Sequence, residues 1–449
     1  MRENGQRARR VPVAPGRWPL LGHGLSLFRR PAEVMLSLRQ YGDVVLIYFG
    51  RLPVLVLTDA ELVYQLFAVH ADKFGKGVFL EKFRPYFGNG LGLSSGAFYK
   101  RQRRLVQPSF HRERITRYAE TMIDTAADLA RSWRPGQVVA VNEAMQDLSL
   151  NITGRTLFST DLGHDAVNVV RRYLPSLLDD GMIRVYTPKV VERLPIPGNR
   201  RFDDAIARVH GVVDDVIKLG RADGTDRGDL LSTLLLARDE DTGERMSDQQ
   251  VHDEVVNLLT AGSETTGVTL AWLFYELSTH PEAERRLWAE VDEVLAGRAI
   301  TVDDVPRLTY TRQVISEVLR LHAPWILMRR ALVDADLGPV SVPAGGEVAV
   351  SPLALHQDPR YFPDPARFDP DRWAPERAAA VPRHAYLPFA TGLHHCPGHQ
   401  FAQTEIAIVT AAIAARWRLA PVPGKPLRTK AHGMVYPSQL PMRAIPRNN

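Results

Sequence analysis

Cysteine is almost absent from this chain, since Cys396 is the only one among 449 residues. A single cysteine excludes an internal disulfide, which suits a reducing cytoplasm. The sequence also lacks an apolar run long enough for a signal peptide or a membrane span, and its first residues are basic and rich in proline. We therefore expect a cytoplasmic protein without a membrane anchor.

The chain has little excess charge of either sign. Lys and Arg number 56 against 51 Asp and Glu, which gives a net charge of +5. Basic residues cluster between Lys100 and Arg104, but no nucleic-acid-binding motif accompanies them. We interpret the cluster as a solvated helix face or a docking site for an acidic protein, and we expect no nucleic-acid partner.

The order of the sequence patterns predicts one mainly α-helical domain with a minor β region over residues 1–449, with residues 1–20 as a flexible basic, proline-rich N-terminus. Short strand-like runs, VVLIYFG and PVLVLTD, occur in the first third of the chain, and amphipathic helical patterns fill most of residues 113–287. Short strands and turns such as PVSVPAGGEVAVSP follow Asp334. The glycine- and aromatic-rich segment GKGVFLEKFRPYFGNGLGLSSG is predicted to be a loop.

One long helix is predicted between Ser247, a suitable N-cap, and Pro281. Its roughly thirty residues would span about 50 Å. The middle of this helix, NLLTAGSETTGVTLAWL, is apolar nearly all round, which is typical of a helix at the centre of a large core. Glu264 lies in that stretch beside glycine, serine and threonine residues that favour a local kink. A buried carboxyl group is costly unless it has a partner or a task.

The lone cysteine lies in the segment FATGLHHCPGHQ, just before a clear helical pattern. Proline is favoured at the first position of a helix, so Pro397 predicts Cys396 as the N-cap, where the helix dipole would stabilise a thiolate. Gly392 and Gly398 lack side chains and would let a flat, bulky group approach the backbone. The sulfur is therefore expected to be a metal ligand or a nucleophile.

Three chemistries are open for this sulfur on the residues alone. A zinc site would draw on His394, His395 and His399, although this spacing matches no structural zinc pattern. A cysteine nucleophile would need a base and an orienting group, which the local sequence does not mark. The third chemistry is axial ligation of haem iron by the thiolate.

The segment around Cys396 resembles the haem-binding signature of the cytochrome P-450 family: an aromatic residue, two residues, glycine, three residues, cysteine, one residue, glycine. Three more motifs occur in the family's order. AGSETT resembles its oxygen-activating helix motif, SEVLR its Glu-x-x-Arg pair, and FDPDRW the motif that completes a buried ion-pair network with that pair. The resemblance covers nearly the whole chain and is carried by Phe389, Gly392, Cys396, Gly398, Ala402, Glu317, Arg320 and Arg372.

The resemblance implies a large helical fold that encloses haem b, with Cys396 as the iron ligand and dioxygen as co-substrate. It assigns Glu264 and Thr265 to proton delivery, with Ala261 and Gly262 leaving room for dioxygen. Glu317, Arg320 and Arg372 would form a buried structural triad. The haem would be bound by Phe389, Gly392 and Gly398, and its propionates by Arg103, Arg329, Tyr99 and His394, the last of which stands where the family often has arginine.

The resemblance to soluble bacterial members implies electrons from a ferredoxin and a ferredoxin reductase. The ferredoxin would dock on the basic cluster, defined here as Arg101, Arg103, Arg104 and Arg112. An apolar, aromatic substrate pocket is expected, and it suits a small apolar substrate. Its candidate residues are Phe79, Phe83, Phe87, Leu258, Ile326, Leu327 and Tyr436.

The chain also resembles terpene-oxidising members of the family, which implies stepwise hydroxylation of a sesquiterpene in secondary metabolism. Alternatives within the class are a hydroxylase of a fatty acid, steroid or polyketide, or a peroxide-driven enzyme. An alternative from another class is a non-catalytic haem-thiolate protein that binds a ligand or acts as a sensor.

Overall fold

Capping signals determine where the longest helix begins. Ser247 Oγ accepts a hydrogen bond from Gln250 N, and Gln250 Oε1 accepts one from Ser247 N, which completes a capping box. The helix then continues to Thr279, two residues before Pro281. The long helix predicted from the sequence is therefore confirmed in its position and length.

The computed structural model describes residues 11–158, 167–174, 177, 180, 181, 184, 189–431 and 433–447. Residues 167–174 are helical. The other helices are α1 (Gly24–Arg29), α2 (Pro31–Leu38), α3 (Ala60–Tyr64), α4 (Val78–Phe87), α5 (Gly96–Val106), α6 (Arg112–Ser132), α7 (Val141–Leu157), α8 (Lys189–Glu192), α9 (Pro197–Asp223), α10 (Leu230–Leu236), α11 (Asp248–Thr279), α12 (Pro281–Leu295), α13 (Thr309–Leu321), α14 (Pro352–His356), α15 (Pro375–Ala378) and α16 (His399–Ala414).

The strands form one larger sheet and three small ones. They are β1 (Val44–Phe49), β2 (Leu52–Leu57), β3 (Phe74–Lys76), β4 (Val138–Ala140), β5 (Leu327–Ala331), β6 (Ala335–Leu337), β7 (Val340–Val342), β8 (Glu347–Val350), β9 (Trp417–Pro421), β10 (Arg428–Ala431), β11 (Val435–Gln439) and β12 (Pro441–Pro446). The larger sheet has the order β1-β2-β8-β5-β3, in which only β2 and β8 are parallel. The small sheets are β4-β12-β9, β10-β11 and β6-β7. The mainly α-helical fold with a minor β region is confirmed.

Helix α11 lies at the centre of the largest hydrophobic cluster and packs against α7, α9, α13 and α16. Gly267 permits the close approach of α7, because a Cβ atom at this position would lie 2.8 Å from Gln146 Cα. The backbone of α11 remains α-helical from Asp248 to Thr279. This helix therefore carries its polar middle segment through the core.

The loop predicted from Gly75 to Gly96 is partly wrong, because Gly75 and Lys76 belong to β3 and Val78–Phe87 forms helix α4 despite Pro85. The glycines that suggested a loop lie outside this helix, and Gly88 ends it with φ +74°. The i, i+4 spacing of Phe79, Phe83 and Phe87 is a helical signal that the glycine content obscured.

A helix that crosses a bilayer needs about twenty predominantly apolar residues. No helix in the described residues is long and apolar enough to cross a membrane.

Candidate active site

The middle of α11 exposes two side chains although most of the helix is buried. Ala261 and Thr265 are exposed, and the residues that follow, from Thr266 to Phe274, are buried. Thr265 Oγ1 donates a hydrogen bond of 2.8 Å to Ala261 O, one turn earlier. Thr265 therefore has a fixed hydrogen-bond acceptor while its side chain stays exposed.

Helix α7 supports the opposite side of this segment. Ser149 Oγ lies 3.4 Å from Gly262 O, at the limit for a hydrogen bond, and a Cβ atom at Gly262 would lie 3.2 Å from Thr153. Glu264 is half-buried and follows the buried Ser263. The structure thus brings Ala261, Gly262 and Thr265 into one stretch whose back is fixed by α7.

The segment around Cys396 folds as a short turn that returns to its own start. Gly392–His394 forms a 3₁₀ turn, and Cys396 N donates to Phe389 O at 2.9 Å. Helix α16 begins only at His399, and Gly398 occupies the N-cap position. The prediction that Cys396 is the N-cap is therefore wrong: Pro397 and Gly398 form a turn before the helix instead of its first residues.

The sulfur nevertheless receives a backbone donor. Part of the Cys396 surface is accessible, but burial of the thiol raises its pKa, and a hydrogen bond from Gly398 N–H lowers it. The donor lies at Gly398 because Pro397 has no N–H. Backbone donors to the sulfur on this side of Cys396 therefore begin at Gly398.

Gly392 is required by its surroundings. Its φ is +64°, and a Cβ atom at this position would lie 1.9 Å from Phe67 O. Both the left-handed backbone and the backbone contact exclude a side chain here. The cysteine segment is thereby pressed against the turn that follows α3.

Helix α5 fixes the cysteine segment from the side. Tyr99 Oη donates to Leu393 O at 2.8 Å, and Arg103 Nη1 donates to His395 O at 2.6 Å. The Tyr99 and His394 rings are 4.5 Å apart. Tyr99 and Arg103, predicted as propionate ligands, therefore also hold the backbone on both sides of His394.

Three cationic side chains converge near this segment. Lys76 of β3 lies opposite Arg329 of β5 in the antiparallel pair, and both are buried. Burial, with repulsion from Arg329 and Arg103, lowers the pKa of Lys76 to about 7, and burial lowers the pKa of Arg329 to about 10. In the described part of the chain, no carboxylate oxygen lies within 4.0 Å of a charged nitrogen of Lys76, Arg103 or Arg329. Lys76 was missed from the sequence because a lone lysine after a glycine carries no local signal.

His394 lies among these cations and is neutral at ordinary pH. Burial, followed by repulsion from Arg329 and Lys76, lowers its pKa to about 3. Neither ring nitrogen has a hydrogen-bond partner within the described residues. His394 could meet a propionate with a neutral hydrogen bond or with a positive charge. Its surroundings favour the neutral hydrogen bond.

These features fit a flat dianionic cofactor such as haem. Unpaired buried cations suit two propionates, because an isolated buried charge is otherwise costly. The orphaned Nε of Arg329 and the single N–H of the neutral His394 ring provide donors. Cys396 supplies a partly accessible sulfur, and Ala261 and Thr265 are exposed in the middle of α11. The residues that would hold haem are Cys396, Lys76, Tyr99, Arg103, Arg329, Phe389, Gly392, His394 and Gly398.

Glu317, Arg320 and Arg372 come together in a buried network. Arg320 binds Glu317 through two hydrogen bonds of 2.8 Å, and Arg372 Nε lies 3.5 Å from Glu317 Oε1. Trp373 Nε1 also donates to Glu317 at 3.0 Å. Arg320 also donates to three backbone carbonyl oxygens. One belongs to the last residue of α14, and two belong to the segment that follows this helix. The network thus ties α13 to that irregular segment.

The structure divides the predicted pocket residues. Phe83, Phe87, Leu258 and Tyr436 belong to the large cluster around α11. Phe79 and Ile326 pack in a different cluster, with Phe79 4.7 Å from Phe49 in an edge-to-face contact, and Leu327 packs against a third cluster. A small apolar cavity lies beside α11 and is lined by Tyr86, Phe87, Val170, Leu174, Leu177, Ile206, Val209, His210, Val256, Leu259 and Thr260.

The predicted basic cluster is largely neutralised within the chain. Arg101 and Arg104 pair with Asp239, and each has a further acidic partner in residues 241–244. Arg103 donates to the cysteine segment, as described above. Arg112 is exposed and has no acidic partner among the described residues. Two of the four arginines are therefore paired within the chain, because the loop that follows α10 supplies carboxylates that sequence order did not place here.

Comparison with known proteins decides among the three chemistries. The cytochrome P450 family model matches residues 12–443. This chain belongs to the cytochrome P450 family. It is 44% identical to cyclooctat-9-en-7-ol 5-monooxygenase of Streptomyces melanosporofaciens over 437 residues, 97% of this chain and 95% of that protein.

Two further P450 relatives and one solved structure agree. Cyclooctatin synthase of the same organism is 43% identical over 97% of this chain and 95% of its own length. Pentalenene oxygenase of Streptomyces avermitilis is 37% identical over 97% of both chains. The crystal structure of the cytochrome P450DA heme domain superimposes with a TM-score of 0.87, at 28% identity and 98% coverage of each chain.

Family membership identifies the protein as a cytochrome P450 monooxygenase whose cofactor is haem b. The zinc site considered above is not formed, because the described residues contain no group of three or more His, Cys, Asp or Glu that could hold a metal ion.

Proposed function

We propose that this P450 hydroxylates an apolar cyclic terpene with electrons from a ferredoxin. The observation that carries the proposal is the near-full-length similarity to three oxygenases, two named for cyclooctatin chemistry and one for pentalenene. The side chains around the small cavity beside α11, such as Phe87, Val256 and Leu259, are apolar, which is compatible with an apolar ligand. The sensor alternative loses support, since two of these relatives are named as a monooxygenase and an oxygenase and the third as a synthase.

Two sizes of terpene compete as substrate. The sequence motifs favour a sesquiterpene oxidised in steps, and the similarity to pentalenene oxygenase supports this choice. The higher identity to cyclooctat-9-en-7-ol 5-monooxygenase favours an alcohol of that kind. Fatty acids, steroids and polyketides are weaker candidates, because none of the three relatives described above is named for them.

We assign the site residues as follows. Cys396 binds the haem iron, with Gly398 N–H moderating the charge on the sulfur. Lys76, Arg103 and Arg329 neutralise the propionates, and His394 donates a neutral hydrogen bond. Tyr99, which donates its hydroxyl proton to Leu393 O, holds the segment that carries His394. Haem bound in this way supplies dioxygen activation, and the thiolate favours cleavage of the O–O bond.

Proton delivery is assigned to Glu264 and Thr265. Thr265 Oγ1 holds its proton in a hydrogen bond to Ala261 O and has an exposed side chain. A hydroxyl at this place can pass that proton toward the open side of α11 and be reprotonated from the neighbouring carboxyl group. Ala261 contributes by its small size, since a larger side chain would fill the space that dioxygen needs.

Electron supply by a ferredoxin and its reductase stays part of the proposal, as does action in the cytoplasm. The docking site is narrower than the sequence indicated, because Arg101 and Arg104 are paired within the chain. The exposed Lys100 and Arg112 are the remaining cations of that face. An acidic ferredoxin that docks there would lose affinity as ionic strength rises.

Substitution of Thr265 tests the assignment. In Thr265→Ala, product formed per pair of electrons should fall by roughly a hundredfold, the lower end of the effect of a positioned acid–base group, and peroxide should rise. Thr269→Ala is the matched control, because Thr269 Oγ1 makes the same kind of hydrogen bond, to Thr265 O, from a buried position. If Thr265→Ala formed as much product per pair of electrons as the wild type, the assignment of proton delivery to Thr265 would be refuted.

The substrate is tested by titrating the ferric protein with pentalenene and with cyclooctat-9-en-7-ol and recording the spin state of the haem. A high-spin shift with one of them selects between the two terpene sizes. A shift with neither, but with a fatty acid or steroid, would refute the terpene proposal and keep the monooxygenase.

A further inference from the structure

Two carboxyl groups near the start of α11 bind the backbone that follows α4. Asp253 Oδ2 accepts a hydrogen bond of 2.7 Å from Asn89 N, and Glu254 Oε2 accepts one of 3.0 Å from Leu91 N. Both acceptors are buried, and Glu254 has no exposed surface. These contacts join residues more than 160 positions apart in the chain.

Asn257 extends the same contact by one turn of the helix. Its Oδ1 accepts from Gly92 N at 3.1 Å, and its Nδ2 donates to Phe87 O at 2.8 Å. The amide group therefore binds both ends of residues 87–92. Together, Asp253, Glu254 and Asn257 bind four backbone groups of this short segment, and we call these three residues the clasp.

The segment lies so close to α11 that its glycines cannot be replaced. A Cβ atom at Gly88 would lie 2.2 Å from Asp253 Oδ1, and one at Gly92 would lie 2.8 Å from Asn257 Oδ1. A Cβ atom at Gly90 would lie 2.6 Å from Asp253 O. The alternating glycines of FGNGLG are explained by this direct backbone-to-helix packing.

Phe87 is the side chain that the clasp positions. It is buried, and its ring centroid lies 5.8 Å from that of Phe83. Phe87 lines the apolar cavity together with Val256, Leu259 and Thr260, residues of α11 that follow or alternate with the clasp. A shift of the backbone at residue 87 would therefore move one wall of this cavity against the other.

We propose that Asp253, Glu254 and Asn257 are positioning residues for substrate selectivity, because they fix residues 87–92 and thereby set how far Phe87 projects into the cavity. The part of this inference that concerns selectivity rests on the proposed function, since it takes this cavity as the place where an apolar substrate binds. The clasp itself does not depend on that function.

Burial of the Glu254 carboxyl group agrees with a holding role. Its burial raises its pKa to about 8, against the opposing hydrogen bond from Leu91, so the group is neutral at ordinary pH. A neutral carboxyl group can be replaced by a carboxamide with the same shape and one acceptor oxygen. Glu254→Gln is therefore the conservative variant, and Glu254→Ala removes the acceptor.

The first test measures amide hydrogen exchange of residues 87–92 in the haem-loaded protein. Asn257→Ala and Glu254→Ala should accelerate exchange in this segment by tenfold or more, and Glu254→Gln should restore slow exchange. Asn142→Ala is the matched control, because Asn142 likewise accepts from one backbone group, Leu440 N, and donates to another, Ser438 O, at a distant place. Slow exchange in Asn257→Ala with intact haem would overturn the clasp.

The second test titrates the ferric haem with imidazole and with 4-biphenylimidazole, which differ in bulk and require no terpene. The ratio of their affinities should shift severalfold toward the bulkier ligand in Asn257→Ala and in Phe87→Ala, but not in Asn142→Ala. An unchanged ratio despite faster exchange would overturn the selectivity role. Failure of the proposed function would appear differently: the variants would behave as expected in both tests, but terpenes would cause no spin-state shift in the wild-type protein.

Discussion

Lys76 lies directly opposite Arg329 in the antiparallel pairing of β3 with β5. Directly opposite residues on two strands project from the same face of the sheet, so the two cations are held side by side in a buried place. Like charges so placed destabilise a protein unless an anion joins them. In this P450 the arrangement makes sense as preparation for the haem propionates.

Removing either cation should therefore weaken haem retention more than it weakens the fold. We expect Arg329→Met and Lys76→Met each to loosen haem by about tenfold to a hundredfold, the loss of one charge-assisted hydrogen bond of roughly 1.5–3 kcal/mol. The measurement is the ratio of haem to protein after transfer to apomyoglobin. Lys218→Met is the control, since Lys218 lies on the surface of α9 in an exposed pair with Asp215. Equal haem loss in all three variants would contradict the assignment.

Gly392 should be irreplaceable, unlike a second glycine with similar backbone geometry. Gly392→Ala should cost about 2–5 kcal/mol, because a left-handed alanine and a clash with Phe67 O add together. Gly345→Ala is the matched control: its φ is +81°, but a Cβ atom would meet nothing within 4 Å. Urea unfolding of the two variants measures the difference, and equal costs would show that the Phe67 contact is unimportant.

The buried ion-pair network should contribute strongly to folding. Glu317→Gln leaves the Arg320 charge buried without an anionic partner, and the expected loss is about 3–5 kcal/mol in the free energy of unfolding. The exposed i, i+4 pair of Arg208 with Asp204 provides the control, since Asp204→Asn should cost less than about 0.5 kcal/mol. Thermal or urea unfolding of both variants checks this, and similar small losses would contradict a structural role for the network.

His356 should make the fold sensitive to acid. Its Nε2 accepts from Leu387 N and its Nδ1 faces Arg320 O, so the ring is fixed in the neutral form, and burial lowers its pKa to about 3. The unfolded chain, with a histidine pKa near 6.5, binds the proton first as pH falls. This contribution to stability is therefore complete above pH 6.5 and lost progressively down to about pH 3, which amounts to about 2 kcal/mol between pH 7 and pH 5.

The measurement compares urea unfolding at pH 7 and pH 5. His356→Gln should be less stable than the wild type at pH 7, but the difference should shrink by about 2 kcal/mol at pH 5. The exposed His111 serves as the control, because His111→Gln should leave the difference unchanged. A pH dependence of His356→Gln that equals the wild type would contradict this account.

Local signals predicted the parts of the fold that local interactions determine. The start of α11 follows from the capping box of Ser247 with Gln250, and β1 and β2 follow from two short apolar runs. Cys396 was singled out from the sequence as an iron ligand, which stays a prediction, but its predicted place relative to α16 was wrong, because a turn at Pro397 replaced the expected first helical residue.

Long-range contacts account for what the sequence did not reveal. Lys76 meets Arg329 only through the pairing of strands that are about 250 positions apart in the chain, and Arg104 meets Asp239 only through the packing of α5 against a distant loop. The aromatic residues of α4 were assigned to one pocket, yet Phe79 and Phe87 lie in different clusters because helical geometry turns them to different neighbours. Residue type indicated the chemistry, and only the fold determined the partners.

The absorption spectrum of the dithionite-reduced protein under carbon monoxide tests the central claim most directly. If Cys396 thiolate binds the haem iron, the Soret band will stand at the red-shifted position that defines haem-thiolate proteins. A folded, fully haem-loaded protein whose band stands at the unshifted position of a haem with a nitrogen ligand would contradict the assignment of Cys396.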